Sequence, residues 1–111
     1  MNAEQSRLIA TREFRDREGS PVVIAIEAPE PDVADDWRCR VHVSTRRREW
    51  VTQGVGVDAL QALILALGHA KVNLLSLDRV MGPLTWLGAN HLGLDFEITP
   101  TTFRGDSPGG P

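Results

Sequence analysis

From Trp37 to Ser44 apolar and polar side chains alternate without a break. Trp37, Cys39, Val41 and Val43 point one way, and Arg38, Arg40, His42 and Ser44 the other. Strand side chains have a period of two, so this segment carries one dry face and one wet face. That pattern belongs to an antiparallel sheet, since parallel strands are normally covered on both sides. The dry face needs a cover, and the rest of the chain must supply it.

Three further strands fit the same sheet. Residues Ser6 to Phe14 read as a first strand with Leu8, Ala10 and Phe14 on one face. Val22 to Ala28 is β-branched, with Val22, Ile24 and Ile26 on one face and Val23, Ala25 and Glu27 on the other. Glu49 to Val55 returns after the polar turn Thr45–Arg48. Pro29 to Asp36 is an acidic, proline-punctuated loop.

The cover is a helix starting at Val57–Asp58. Asp58 can accept from a free amide of the first turn, and Gln61 lies three residues on, as in a capping box. At about 100° per residue, Leu60, Leu63, Leu67, Ala70 and Leu74 cluster on one face with Ile64 beside them. Lys71 falls near that apolar face and is expected to snorkel. Leu65 and Val72 fall on the polar side and form an expected partner surface. Residues Val80 to Ile98 could fold back over them, and a homodimer through the helix is the competing reading.

The expected fold is α+β: a four-stranded antiparallel meander, one long helix on one face, and a C-terminal covering segment. The 111 residues suit one domain, placed at 7–98, with a flexible tail at 99–111 that is rich in Thr, Ser, Gly and Pro. The single cysteine excludes an intrachain disulfide, and no apolar run follows Met1. A cytoplasmic location without a signal peptide or membrane span is therefore expected. Eleven of the twelve basic residues are Arg, a bias expected of a GC-rich bacterial genome.

Charge is unevenly placed. Residues 1–36 carry −5, residues 37–50 carry +4 and residues 51–111 carry −2. Arg38, Arg40 and His42 share one sheet face, and Arg46, Arg47 and Arg48 extend it at the turn. This stripe is the candidate binding site, for an acidic protein face or for nucleic acid. Against nucleic acid stand the net charge of −3 and Trp37, which points away from the stripe. Partners such as Glu27 or Glu13 could neutralise it across strands.

Other motifs carry little. Gly54-Val-Gly56-Val-Asp-Ala59 matches a dinucleotide-binding turn between strand and helix. However, the strand before it is polar, and the Asp58 carboxylate would sit where a pyrophosphate binds. The glycines are instead expected to end the strand and let the backbone turn. Cys39, His42, His69 and His91 lack metal-ligand spacing, and Cys39 and His42 leave their strand on opposite faces. No cofactor and no catalytic residue is indicated. Asp35-Asp36 is expected to be solubilising, and Arg104-Gly-Asp106 to be coincidental.

Pro29-Glu-Pro31, Asp36-Trp-Arg-Cys39, Gly56-Val-Asp-Ala-Leu-Gln-Ala-Leu63, Trp86-Leu-Gly88 and Gly93 together resemble a family of small uncharacterised bacterial domains. The resemblance spans about residues 8–96 and implies a meander plus helix, with no activity attached. The leading expectation is thus a non-enzymatic protein-interaction module. Anion or nucleic-acid binding through the Arg face is an alternative. A small-ligand site or enzyme pocket near Trp86 and His91 is another.

Overall fold

The computed structural model describes residues 7–97. The proposed tail at 99–111, with its Arg104-Gly-Asp106 tripeptide, lies outside them, as do Ser6 and Ile98. The chain forms β1 (Leu8–Arg15), β2 (Pro21–Glu27), a two-residue β3 (Glu30–Pro31), a 3₁₀ turn (Val33–Asp35), β4 (Trp37–Ser44), β5 (Glu49–Gly56) and the 23-residue helix α1 (Ala59–Met81). All pairings are antiparallel. β1 pairs β2, β2 pairs β4, and β4 pairs β5. β3 pairs β4 at Glu30–Arg38 and Pro31–Trp37, continuing the β2 side of β4 past the break at Ala28-Pro29. The architecture is therefore the α+β meander, with β3 as a short fifth strand inside the loop expected at Pro29–Asp36.

The dry face of β4 is buried as the alternation requires. Cys39, Val41 and Val43 join Val22, Ile24, Ile26 and Phe14 in one core with Ala62, Ala66, Ala70, Leu74 and Leu84. In β1 the register shifts between Leu8 and Ala10, so Leu8 pairs Glu27 while Ala10 pairs Ile26. Directly paired residues share a face. Leu8 therefore stands on the opposite face from Ala10 and Phe14, contrary to simple alternation.

The helix begins where its cap places it. The Asp58 carboxylate accepts from the Gln61 amide at 2.8 Å, and the Gln61 side chain accepts from the Val57 amide at 2.7 Å. The reciprocal bond thus reaches one residue further back than in a standard capping box. The inward stripe differs from the leucine face. Ala62, Ala66, Ala70 and Leu74 are buried, Leu63 and Leu67 flank them, and Leu60 and Ile64 are exposed. The cause lies across the interface, in Gly54 and Gly56 on the core face of β5. A Cβ at Gly54 would lie 2.4 Å from the Ala66 nitrogen, and one at Gly56 would lie 2.8 Å from the Ala62 nitrogen. Neither glycine has positive φ. Both lie within β5, so their role is close backbone approach and not the turn expected of them.

After α1 the chain reverses at Gly82-Pro83. Leu84 is buried, its amide donating to Asp78 Oδ1 at 2.8 Å. Thr85 then pairs with Arg15 through two backbone bonds of 2.9 Å, capping the far end of β1. Residues 92–97 cross α1 on the β1 side, where the Lys71 ammonium donates to the Phe96 carbonyl and lies over the Phe96 ring. Lys71 is thus tied to this segment. Residues 94–97 form no strand. The segment also leaves Leu65 half-buried and Val72 65% exposed, so it is not their cover.

Candidate functional site

The predicted arginine stripe divides. Arg38, Arg40 and His42 do share the open sheet face, where Glu27, Glu30 and Asp32 meet them. Glu27 is only 3% exposed although it lies on that face. Its carboxylate is 2.5 Å from His42 Nε2, 3.5 Å from Arg7 and 3.8 Å from Arg40. Glu30 binds Arg7 at 2.6 Å, Arg38 at 2.9 Å and Arg40 at 3.5 Å, and Asp32 reaches Arg38 at 3.4 Å. Three guanidinium groups thus meet three carboxylates. The Arg38 hydrogen bond, against the opposing cost of burial and helped by Arg7 and Arg40, holds the Glu30 carboxyl below its usual range.

Arg46 turns to the β1–β2 turn, 3.1 Å from Asp16 and 2.8 Å from Glu18. Asp16 is buried and accepts from the amides of Glu18 and Ser20. Burial works against its charge, but those amides and Arg46 outweigh it, and its carboxyl sits below the usual range. Arg48 lies over the Trp50 ring, 4.2 Å from its centre, and Arg47 lines a cleft with Val80 and Met81 near the end of α1. Hence Arg38, Arg40 and His42 stay together, while Arg46, Arg47 and Arg48 leave that cluster for the β1–β2 turn, the end of α1 and Trp50. Glu13, another expected neutraliser, instead pairs with Arg15 at 2.7 Å. Arg7, Glu30, Asp32, Asp16 and Glu18 were not singled out by sequence. A meander places the β1–β2 and β4–β5 turns at one end, which is the signal that joins Asp16 to Arg46.

The second surface is the outer side of β5. This strand pairs β4 in unbroken register from Trp37–Gly56 to Ser44–Glu49. Its other edge has no strand partner among the described residues. Sheets usually guard such an edge with proline, lysine, a bulge or a short strand. β5 runs eight residues, EWVTQGVG, with none of these. Val51 and Val55, on the open face, are 52% and 43% exposed. α1 packs on β5 and β4, and the C-terminal segment lies on its β1 side. By the helical repeat, Leu65, His69, Val72 and Ser76 therefore flank the β5 edge, a row without Lys, Arg, Asp or Glu.

A cavity of about 180 Å³ lies between β1, β2 and α1, lined mostly by apolar residues including Ala10, Phe14, Ile26, Leu67 and Leu94. Arg12 stands at it, its guanidinium 3.7 Å from the Trp86 ring centre and donating at 3.0 Å to the carbonyls of Leu92 and Gly93. Trp86 and His91 meet edge to face with centres 5.6 Å apart. Cys39 is buried, its thiol donating to the Glu27 carbonyl at 3.3 Å, and burial pushes its pKa up. Among the described residues no three His, Cys, Asp or Glu side chains gather into a metal site. α1 is long and apolar enough to cross a membrane by length and composition. Here its alanine stripe is seated on the sheet.

Residues 10–97 match the family described as Domain of unknown function (DUF6968), and the chain belongs to that family. No curated protein and no solved structure matches the chain.

Proposed function

We propose that this member of the DUF6968 family is a non-enzymatic protein-interaction module that binds through the outer side of β5. The observation that carries this reading is the unguarded eight-residue edge with Val51 and Val55 beside it. Edge strands recruit extended chains through main-chain hydrogen bonds, with apolar side chains adding affinity. The neutralised Arg38–Arg40–His42 face offers little net charge to a polyanion, so it supports the nucleic-acid alternative poorly.

The test is site-specific photocrosslinking in cells, with the probe at Val55 and, as a control, at Thr11 on β1. Protein adducts from Val55 and none from Thr11 support the reading. Equal or absent adducts at Val55 remove it. A second reading rests on the apolar cavity beside Arg12 and Trp86, which has room for a ring-sized apolar ligand. It requires small aromatic or aliphatic compounds to raise the melting temperature, and filling the cavity with Ala10→Leu to abolish that shift.

A further inference from the structure

We infer that the occupant of the β5 edge is the β5 edge of a second copy of this chain, giving a two-fold dimer with a continuous ten-stranded sheet. This rests on the interaction-module reading above and names its partner. A strand pairing antiparallel with itself about a dyad is self-complementary by symmetry, since every contact occurs twice. Facing residues must lie on the same side of the sheet, which limits the registers. With Gln53 on the dyad, Val51 of each copy faces Val55 of the other on the open face. The only charge on β5, Glu49, then faces the other copy's residue 57, which is Val57, so no like charges meet.

The helix layer fits the same arrangement. α1 sits over the β4–β5 pair. With strands about 4.8 Å apart, a helix between β4 and β5 lies about 2.4 Å inside β5. Two such helices across the dyad are then about 10 Å apart, at the upper end of ordinary helix packing. The residues brought between them are Leu65, His69, Val72 and Ser76, none of them Lys, Arg, Asp or Glu. This supplies the cover that the C-terminal segment does not. The strip is about 27 Å long at 3.4 Å per residue. It is narrow, which places it among small interfaces and implies a concentration-dependent dimer.

The experiment is sedimentation velocity on the full chain across a wide concentration series. The expected result is a shift from 12.2 kDa toward about twice that mass. Val51→Lys with Val55→Lys should weaken dimerisation at least tenfold while circular dichroism stays unchanged, because both side chains are half in solvent. Independently, Gln53→Cys should crosslink to itself through a short bis-maleimide, and Thr11→Cys should not; buried Cys39 stays silent. A monomer at every concentration, a dimer indifferent to the lysine pair, or no crosslink at position 53 overturns the self-pairing. A strict monomer that still yields Val55 adducts in cells sinks the dimer and leaves the module reading standing.

Discussion

Gly54→Ala probes the closest contact in the fold. The added methyl would lie 2.4 Å from the Ala66 nitrogen, 2.7 Å from the Ala62 carbonyl oxygen and 2.8 Å from the Leu65 carbonyl carbon. All three are helix backbone, so no side chain can rotate away. Ordinary contact starts at 3.4 Å, so α1 must retreat by about 1 Å. The retreat loosens the contacts of Ala62, Ala66 and Ala70 with the sheet. Overpacking of this kind costs about 1–3 kcal/mol, and rigid neighbours put Gly54 at the upper end. At about 4–8 °C per kcal/mol for a domain of this size, a loss of about 3 kcal/mol should lower the melting temperature by about 12–24 °C. Gly19→Ala is the control. It has open space but a φ of 82°, so it carries only left-handed strain of about 1 kcal/mol. Thermal and urea unfolding by circular dichroism read both. A Gly54→Ala loss no larger than that of Gly19→Ala would refute the close approach of α1 to β5.

Three other outcomes follow from the same contacts. Glu27→Gln with Glu30→Gln removes two of the three carboxylates facing Arg7, Arg38 and Arg40. The double variant should gain duplex DNA binding at low salt with a log–log slope of about −2, while the wild type shows none. Asp16 and Glu30 bind protons more weakly folded than unfolded, so their stabilisation is whole above their ordinary values of 3.8 and 4.5 and is lost as pH falls through the lower folded values. The melting temperature should therefore fall below about pH 4, and Asp16→Asn with Glu30→Gln should shrink that acid limb. Arg12→Ala removes two carbonyl bonds and the cation stacked on Trp86. It should cost about 2 kcal/mol and speed limited proteolysis within residues 87–97, leaving β4 and β5 protected.

Much of the fold is written locally. The period of two in β4 and the Asp58–Gln61 cap each depend on neighbours within a few residues, and both sit where the sequence places them. The sequence misleads where tertiary contact decides. Hydropathy weights leucine above alanine, so the helical pattern points α1 toward Leu60 and Ile64. The sheet instead presents Gly54 and Gly56, and only a stripe as small as alanine comes that close. The register shift between Leu8 and Ala10 leaves no sequence mark and moves Leu8 to the other face. The arginines were visible as a run, but their acids come from residues 16–32, and only the strand order brings them together. The β5 edge, without a strand partner among the described residues, is equally hidden, because which strand ends a sheet is a property of topology.

Hydrogen exchange along β5, measured at low and high protein concentration, tests the proposed interface most directly. If β5 pairs with a second copy, amides within Glu49–Gly56 that point away from β4 gain protection as concentration rises, at least tenfold, and β1 does not change. Outward β5 amides that exchange equally fast at every concentration, or protection that grows at β1 instead, would contradict the pairing.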